Sequence, residues 1–212
     1  MEDKPNHSRN IKLYKDYYAE GFDVCKRKSI ELYPGLTVLV GCNGCGKTTL
    51  MRQIKQRLDE AEISYIDFDN LHEGGANARS KYGFYGDMDF VATSFCSSEG
   101  ENIILNMGKL AGEIGTFIRK NQSITELWIF LDAVDSGLSI DNIIEIKTYL
   151  FDTIFEDNPN RDIYIIAAAN EYELASGEKC FDVYNGEYIS FKDYAQYRAF
   201  VLNSREIKNR RS

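Results

Sequence analysis

The stretch "LTVLVGCNGCGKTT", Leu36 to Thr49, decides the fold of this chain. It opens with a continuous apolar run that ends in Gly41, a pattern typical of a buried parallel strand. The part from Gly41 to Thr48 fits G-x-x-x-x-G-K-[ST], and helix signals follow from Gly46 to about Leu58. Glycines let backbone N–H groups wrap phosphates, and the start of a helix attracts anions. The stretch therefore predicts a phosphate-binding loop between a strand and a helix.

The side chains of this loop have separate expected roles in binding a nucleotide. Lys47 is expected to reach the β- and γ-phosphates, and the Thr48 hydroxyl is expected to ligate Mg²⁺. Cys42 and Cys45 have the spacing of metal ligands, but their position inside the loop favours small residues at variable positions over zinc or redox use. The residues expected to contact the nucleotide are Gly41, Cys42, Asn43, Gly44, Cys45, Gly46, Lys47, Thr48 and Thr49.

A second candidate site residue, Asp132, ends the apolar run "ELWIFLD" that begins at Glu126. A carboxylate at the end of a buried strand, downstream of a phosphate loop, is expected to hold the Mg²⁺ shell directly or through water. The alternative is an ordinary aspartate at the end of a strand. The sequence favours a metal role for Asp132 and Thr48, with Lys47 and Asp132 as candidate catalytic residues.

Apolar runs and helical periodicity alternate along the rest of the chain. Ile63–Asp69, Glu126–Asp132 and Asp162–Ala169 have the composition of buried strands, and apolar residues recur at helical spacing over Ile103–Ile118 and Ile143–Phe155. Strands that alternate with helices predict an α/β fold with a mainly parallel central sheet.

The two ends of the chain add an antiparallel β part to this prediction. Strand-like stretches precede the phosphate loop at Ile11–Phe22 and Ser29–Leu32, and a hairpin is predicted around Asn185-Gly186. A last helix is predicted over Lys192 to about Ile207.

Length and composition indicate one globular domain. The 212 residues suffice for a single α/β core, with 43% apolar and 27% charged residues. We expect a flexible N-terminus over residues 1–10 and one domain over 11–212, with a region of about 70–121 inserted in its core. No apolar run is long enough to span a bilayer, and the first ten residues lack the core of a signal peptide, so we expect a cytoplasmic protein.

The charge of the chain argues against bulk attraction of nucleic acid, because the formal net charge is −8. One stretch near the C-terminus is locally basic. Its only acidic residue is Glu206, and its basic residues are Arg198, Arg205, Lys208, Arg210 and Arg211. This stretch is interpreted as a solvated, frayed tail, with a nucleic-acid patch as the alternative.

Three motifs together resemble those of ABC-type ATPases. Gly41–Thr49 resembles the family's GxNGxGKTT loop, and "FLDAVDSGLS", Phe130–Ser139, resembles its Walker B strand and D-loop. "SSEGE", Ser97–Glu101, resembles the signature motif LSGGQ and also begins a helix. The chain is therefore identified as a member of this family of P-loop NTPases, closer to RecF-like and chromosome-maintenance heads than to transporter subunits.

The resemblance implies a homodimer that sandwiches two ATP molecules between its subunits. In that arrangement Ser98, Gly100 and Glu101 of one subunit contact the γ-phosphate held by the other. Ser98 supplies a hydroxyl, and Gly100 lets the backbone come close. The alternative is that Ser98–Glu101 is a plain helix cap.

The chain departs from the family pattern at three places. Ala133 stands where the family has its catalytic glutamate, and Asn170 stands where it has a histidine. The family also has a glutamine in a loop that has no clear match in this chain. Five residues are candidates to take its place: Asp67, Asp69, Asn70, His72 and Glu73. We hypothesise that Asp135 partly replaces the missing glutamate; the alternative is a D-loop aspartate that contacts the partner subunit.

The resulting prediction is slow, Mg²⁺-dependent ATP hydrolysis by an ATP-gated homodimer. Family analogy points to a DNA-related or mobile-element process, with nucleic acid or an unidentified protein as partner. A non-hydrolysing ATP-dependent switch is the main alternative, because loss of a positioned base slows hydrolysis by about 10²- to 10⁴-fold. A transporter subunit and a nucleotide kinase are less favoured.

Overall fold

A computed structural model of the chain describes residues 7–14, 24–69, 99–136 and 138–211, with side chains described except over 99–107 and at 211. Its elements, in chain order, are β1 (Arg9–Lys12), β2 (Ser29–Leu32), β3 (Gly35–Val40), α1 (Lys47–Glu60), β4 (Tyr65–Asp69), α2 (Glu99–Lys120), β5 (Glu126–Asp132), α3 (Ile140–Glu145), a π-helical segment (Ile146–Asp152), α4 (Thr153–Asp157), β6 (Asp162–Ala168), α5 (Tyr172–Ala175), β7 (Lys179–Asp182), β8 (Glu187–Ile189) and α6 (Tyr194–Arg211).

Six of these strands form one central sheet in the order β4-β5-β6-β3-β7-β8. Strands β4, β5, β6, β3 and β7 run parallel to their neighbours, and β8 pairs antiparallel with β7. The first two strands form a separate antiparallel pair. The prediction of an α/β fold with a mainly parallel sheet and an antiparallel part is confirmed.

The strand order places the loops that follow β3, β5 and β6 at one edge of the sheet. Strand β6 lies between β3, which precedes the phosphate loop, and β5, which ends at Asp132. Because these three strands are parallel, their carboxyl ends lie side by side, and ligands of open α/β sheets bind at such an edge.

Each strand contributes side chains to cores on both faces of the sheet. Val38 and Val40 face a core that includes Leu110 and Ile114 of α2, whereas Leu39 faces a second core. That second core contains α1 and the β1–β2 pair, and Trp128 stacks there on its register partner Tyr164 at a centroid distance of 4.1 Å. Burial on both faces explains why the strands read as continuous apolar runs.

Several boundaries differ from the sequence predictions. The strand predicted over Ile11–Phe22 begins at Arg9 and ends at Lys12, and its remainder falls largely outside the described residues. Strand β1 thus begins two residues before residue 11, where the domain was expected to start. The helix predicted over Ile143–Phe155 runs from 140 to 157 but contains a π-helical segment, which apolar spacing does not reveal.

The hairpin around Asn185-Gly186 is confirmed, and Gly186 adopts the φ of 70° that the turn requires. Across the described parts of the chain, none of the helices has the length and apolar character needed to cross a membrane.

Candidate nucleotide site

The phosphate loop follows β3 and uses backbone conformations that favour glycine. Gly41, Gly44 and Gly46 have φ angles of 148°, 74° and 109°. A Cβ at Gly46 would lie 2.7 Å from Val24 Cγ1, so a side chain there would also clash. Gly46 is the N-cap of α1 and supplies no side-chain bond to the helix. The first N–H groups of α1 are therefore left without a side-chain cap, as an anion site needs.

A cavity of about 460 Å³ lies against this loop. Its volume is in the range of small-molecule sites in proteins. It brings together predicted residues from three separate loops, and its lining is Asn43, Gly44, Gly46, Lys47, Thr48, Thr49, Asp132, Ala133, Ser136, Ala168 and Asn170. Of the predicted site residues whose side chains are described, Gly41, Cys42, Cys45 and Asp135 do not line it.

Lys47 and Thr48 are the first two residues of α1, directly after the loop. The Lys47 ammonium donates to Gly41 O at 3.0 Å, so it closes the loop on itself. Thr48 is exposed at the start of α1. An ammonium has three donors, which leaves Lys47 able to bind phosphate oxygens as well as the carbonyl.

A second carboxylate stands beside Asp132. Strand β4 pairs with β5 so that Asp69 is the register partner of Asp132 at the ends of the two strands. Asp67 instead pairs with Lys55. Of the two described candidates for the missing glutamine, Asp69 is the register partner of a residue that lines the cavity; Asn70, His72 and Glu73 lie outside the described residues.

Ala133 has a backbone conformation that L-residues rarely adopt. Its φ is 52°, and the residue is 6% exposed at the cavity wall. A left-handed non-glycine residue costs about 1–2 kcal/mol. The position expected to carry a catalytic glutamate is thus occupied by a strained residue whose methyl group has no proton acceptor.

Asp135 is buried and joins two loops of the site. Its Oδ2 accepts hydrogen bonds from the N–H groups of Asn170 at 2.6 Å and Glu171 at 2.7 Å. Its Oδ1 is buried with no hydrogen-bond partner among the described residues. Burial raises the pKa of this carboxyl, and backbone N–H groups, those of Glu171 and Asn170 foremost, and the Lys47 charge oppose the rise. This geometry favours a positioning role, and its hypothesised role as a base stays a prediction.

Asn170 follows β6 and is held through its backbone from two sides. Asp135 accepts from its N–H, and the Tyr197 hydroxyl donates to its carbonyl at 3.1 Å. Tyr197 belongs to α6 and is 5% exposed, and burial raises its pKa, so the hydroxyl keeps the proton that it donates. The exposed Asn170 reaches the cavity from a fixed turn.

The C-terminal helix α6 also contacts the phosphate loop. The Cys42 N–H donates to Ser204 Oγ at 3.1 Å, and the Lys208 ammonium donates to Asn43 O at 3.0 Å. The interpretation of the basic C-terminal stretch as a solvated, frayed tail is therefore wrong as far as Lys208, whereas Arg210 beyond it is 80% exposed. The sequence contains a pattern that predicts such a contact: Tyr197, Val201, Ser204 and Lys208 are spaced so that they share one face of a helix.

The signature residues are only partly within the described chain. Ser98 lies outside it, and Gly100 and Glu101 lie in the first turn of α2 without described side chains. Their contact with a partner's nucleotide stays a prediction.

A model of the ATPase family associated with various cellular activities (AAA) matches residues 37–178. No curated protein matches the chain. The matched segment contains the phosphate loop, Asp132 and Asn170, and it ends before β7 and the C-terminal helix.

Proposed function

This chain belongs to the ATPase family associated with various cellular activities, since the family model matches more than half of its length, and on that premise we propose that it binds ATP with Mg²⁺ and hydrolyses it slowly. One observation carries the proposal. The phosphate loop, Asp132 and Asn170 come from separate parts of the chain and line one cavity at the carboxyl edge of the sheet.

The residues of this cavity fit a nucleotide triphosphate with its metal. The uncapped start of α1 and the Lys47 ammonium suit phosphate oxygens. Thr48 and Asp132 are the candidate Mg²⁺ ligands, and no cluster of three or more His, Cys, Asp or Glu side chains suited to a metal occurs in the described ranges. That sparse set suits Mg²⁺, which takes many of its ligands from phosphates and water. Held there by Thr48 and Asp132, Mg²⁺ would neutralise negative charge on the phosphates.

The protein's own groups account for slow rather than fast hydrolysis. Lys47 stabilises negative charge that develops on the transferred phosphoryl group, and the Asn170 amide hydrogen-bonds the terminal phosphate. Ala133 supplies no base to the attacking water. Absence of a positioned base costs about 10²- to 10⁴-fold in rate, so turnover well below one per second is expected.

The finer proposal is that the chain is of ABC type and works as a homodimer. Ser98, Gly100 and Glu101 would complete the partner's site, which follows from the resemblance of Ser97–Glu101 to the signature motif. A DNA-related or mobile-element role follows from the same resemblance. Ala133 also favours a second candidate function, in which ATP holds the dimer closed without being hydrolysed.

Turnover by the purified full chain with Mg²⁺ tests the proposal, with Lys47→Ala as the blank. We expect slow phosphate release from the wild type and none above background from the variant, because the Lys47 charge is needed for the triphosphate. ATP binding without turnover would favour the switch, and binding that survives Lys47→Ala would contradict the nucleotide site itself.

Two variants of Asp135 in the same assay separate a base from a positioning residue. Asp135→Asn keeps an oxygen that can accept both backbone N–H groups, whereas Asp135→Ala keeps none. With a positioning role, the asparagine variant keeps most of the turnover and the alanine variant loses about tenfold. Equal losses in both variants would instead identify the carboxylate as the base.

A further inference from the structure

Two arginines of the C-terminal helix differ from the other arginines whose side chains the structure describes. Arg198 and Arg205 are exposed, and neither has a hydrogen bond, ion pair or ring contact with another described residue. Every other arginine with a described side chain has a partner within the chain, from Arg9 with Glu126 to Arg210 with Glu206. The two guanidinium groups therefore have donors that no described residue uses.

Both arginines belong to one exposed stripe along α6. Residues 194, 198, 202, 205 and 209 recur every three or four positions, so they share one face of the helix. Their side chains are all exposed, and they are Tyr194, Arg198, Leu202, Arg205 and Asn209. The two arginines are two turns apart, about 10 Å along the helix axis. A row of this length can contact an extended ligand at more than one point.

The opposite face of α6 is fixed to the rest of the protein. Tyr197 is buried, and its ring centroid lies 5.2 Å from that of Phe191. Two turns later, Ser204 Oγ accepts a hydrogen bond from the Cys42 N–H at 3.1 Å. Because the helix is held at both places, a ligand on its outer face would not have to order the backbone, which reduces the entropic cost of binding.

The charge of α6 is opposite to that of the chain as a whole. The formal net charge of the chain is −8, whereas residues 194–211 contain one acidic residue, Glu206, and five basic ones: Arg198, Arg205, Lys208, Arg210 and Arg211. A local positive surface on an acidic protein attracts a polyanion to that place, while the rest of the surface repels it. Charge complementarity therefore favours a polyanion as the ligand of the stripe.

The side chains of the stripe indicate which polyanion fits best. Guanidinium groups match phosphate with paired N–H donors. Tyr194 adds an aromatic ring that contacts Tyr172 at a centroid distance of 5.7 Å and is still 58% exposed. Bases of an unpaired strand stack on such rings, whereas the bases of a duplex are stacked on one another. An acidic peptide would bind the arginines but has no base for the ring.

We propose that the outer face of α6 binds single-stranded nucleic acid, with Arg198 and Arg205 on its phosphates and Tyr194 stacked on a base. The inference rests on the DNA-related part of the proposed function, to which it gives a surface. The binding itself uses no residue of the nucleotide cavity and needs no ATP.

The test is the dissociation constant of the full chain for a fluorescently labelled single strand of DNA, measured by anisotropy without nucleotide at several salt concentrations. Arg198→Gln/Arg205→Gln is expected to weaken binding at low salt about tenfold. It should also reduce the slope of log Kd against log salt by about 1.4, because two phosphate contacts are lost. Arg198→Lys/Arg205→Lys keeps both charges and is expected to retain most of the salt slope.

A second pair of variants tests the stacking. Tyr194→Ala is expected to weaken binding of the strand about fivefold, because it removes the ring on which a base stacks. Tyr194→Phe keeps the ring and should bind as the wild type does. A duplex of the same sequence is expected to bind more weakly than the single strand and to be insensitive to Tyr194→Ala.

A charge-matched variant is the control for the arginines. Lys12→Gln/Lys179→Gln removes two exposed positive charges from β1 and β7, away from α6. It should change the dissociation constant by less than about twofold, because distant surface charges are screened. Turnover of ATP without DNA should be the same in Arg198→Gln/Arg205→Gln as in the wild type, so the strand surface and the nucleotide site can fail independently.

The inference would be overturned if the wild type did not bind the single strand at low salt. Equal losses in the arginine variant and the lysine control would also overturn it, since bulk charge would then explain the binding. An acidic peptide that bound to α6 as tightly as the single strand would assign the stripe to a protein partner instead.

Discussion

Ala133 stands at the position where a catalytic base is expected, so it bears directly on the rate of ATP hydrolysis. It lies at the cavity wall directly after Asp132, in a left-handed conformation with φ of 52°. The strain is already present with alanine, so a longer side chain at this position adds little backbone cost. Its Cβ is therefore a ready attachment point for a carboxylate.

Ala133→Glu is expected to raise ATP turnover by about 10- to 100-fold, because a general base placed beside the attacking water lowers the barrier. Phosphate release at saturating ATP measures the change. Ala133→Gln has the same size without a basic group and is the matched control. Equal rates for the glutamate and glutamine variants would show that a base at this position is not what limits the reaction.

At the scale of elements, α6 connects parts of the site that lie far apart in the chain. Its first turns hold the Asn170 turn through Tyr197, and its last turns hold the phosphate loop through Ser204 and Lys208. The helix therefore couples the end of β6 to the loop after β3, although its own sequence is only weakly amphipathic.

Tyr197→Phe is expected to lower the free energy of unfolding by about 1 kcal/mol, because it removes one hydrogen bond and leaves Asn170 O without that donor. Denaturant unfolding measures this change. Tyr194→Phe is the control, since Tyr194 is 58% exposed on the same helix and its loss should stay within about 0.5 kcal/mol. A Tyr197→Phe variant as stable as the control would mean that the bond contributes nothing to the fold.

At the scale of the whole molecule, one chain carries both the phosphate loop and the predicted signature residues. These half-sites meet only between two copies if the homodimer proposal is right. Activity then depends on chain concentration, and a defect in one half-site can be rescued by a partner whose other half-site is defective.

Mixing the Lys47→Ala and Ser98→Ala variants tests this. Each variant alone is expected to be inactive as a homodimer, whereas a mixed dimer has one intact site composed of Lys47 from one copy and Ser98 from the other. Turnover of the mixture should recover to about a quarter of the wild-type rate, since half of the dimers are mixed and each has one site. No recovery at concentrations that give dimers would contradict composite sites.

Local patterns in the chain determined the phosphate loop, the buried strands and the positions of Asp132 and Asn170. Each of these features depends on a pattern of a few neighbouring residues: the glycine spacing of the loop, a continuous apolar run, or a carboxylate at the end of such a run. Such patterns can be recognised in the sequence without knowledge of the partner strands. The π-helical segment was not predicted, because apolar spacing does not distinguish one wide turn from regular α-helix.

Only the tertiary structure decided how the pieces combine. The insertion of β6 between β3 and β5 fixes which loops share the cavity, and it depends on strand pairing across long separations. Asp69 lies beside Asp132 because β4 pairs with β5, and α6 reaches the phosphate loop through Ser204 and Lys208. Asp135 illustrates the physical reason: the sequence places a carboxylate within one turn of the expected base, but its direction is set by two backbone N–H groups from the loop that follows β6.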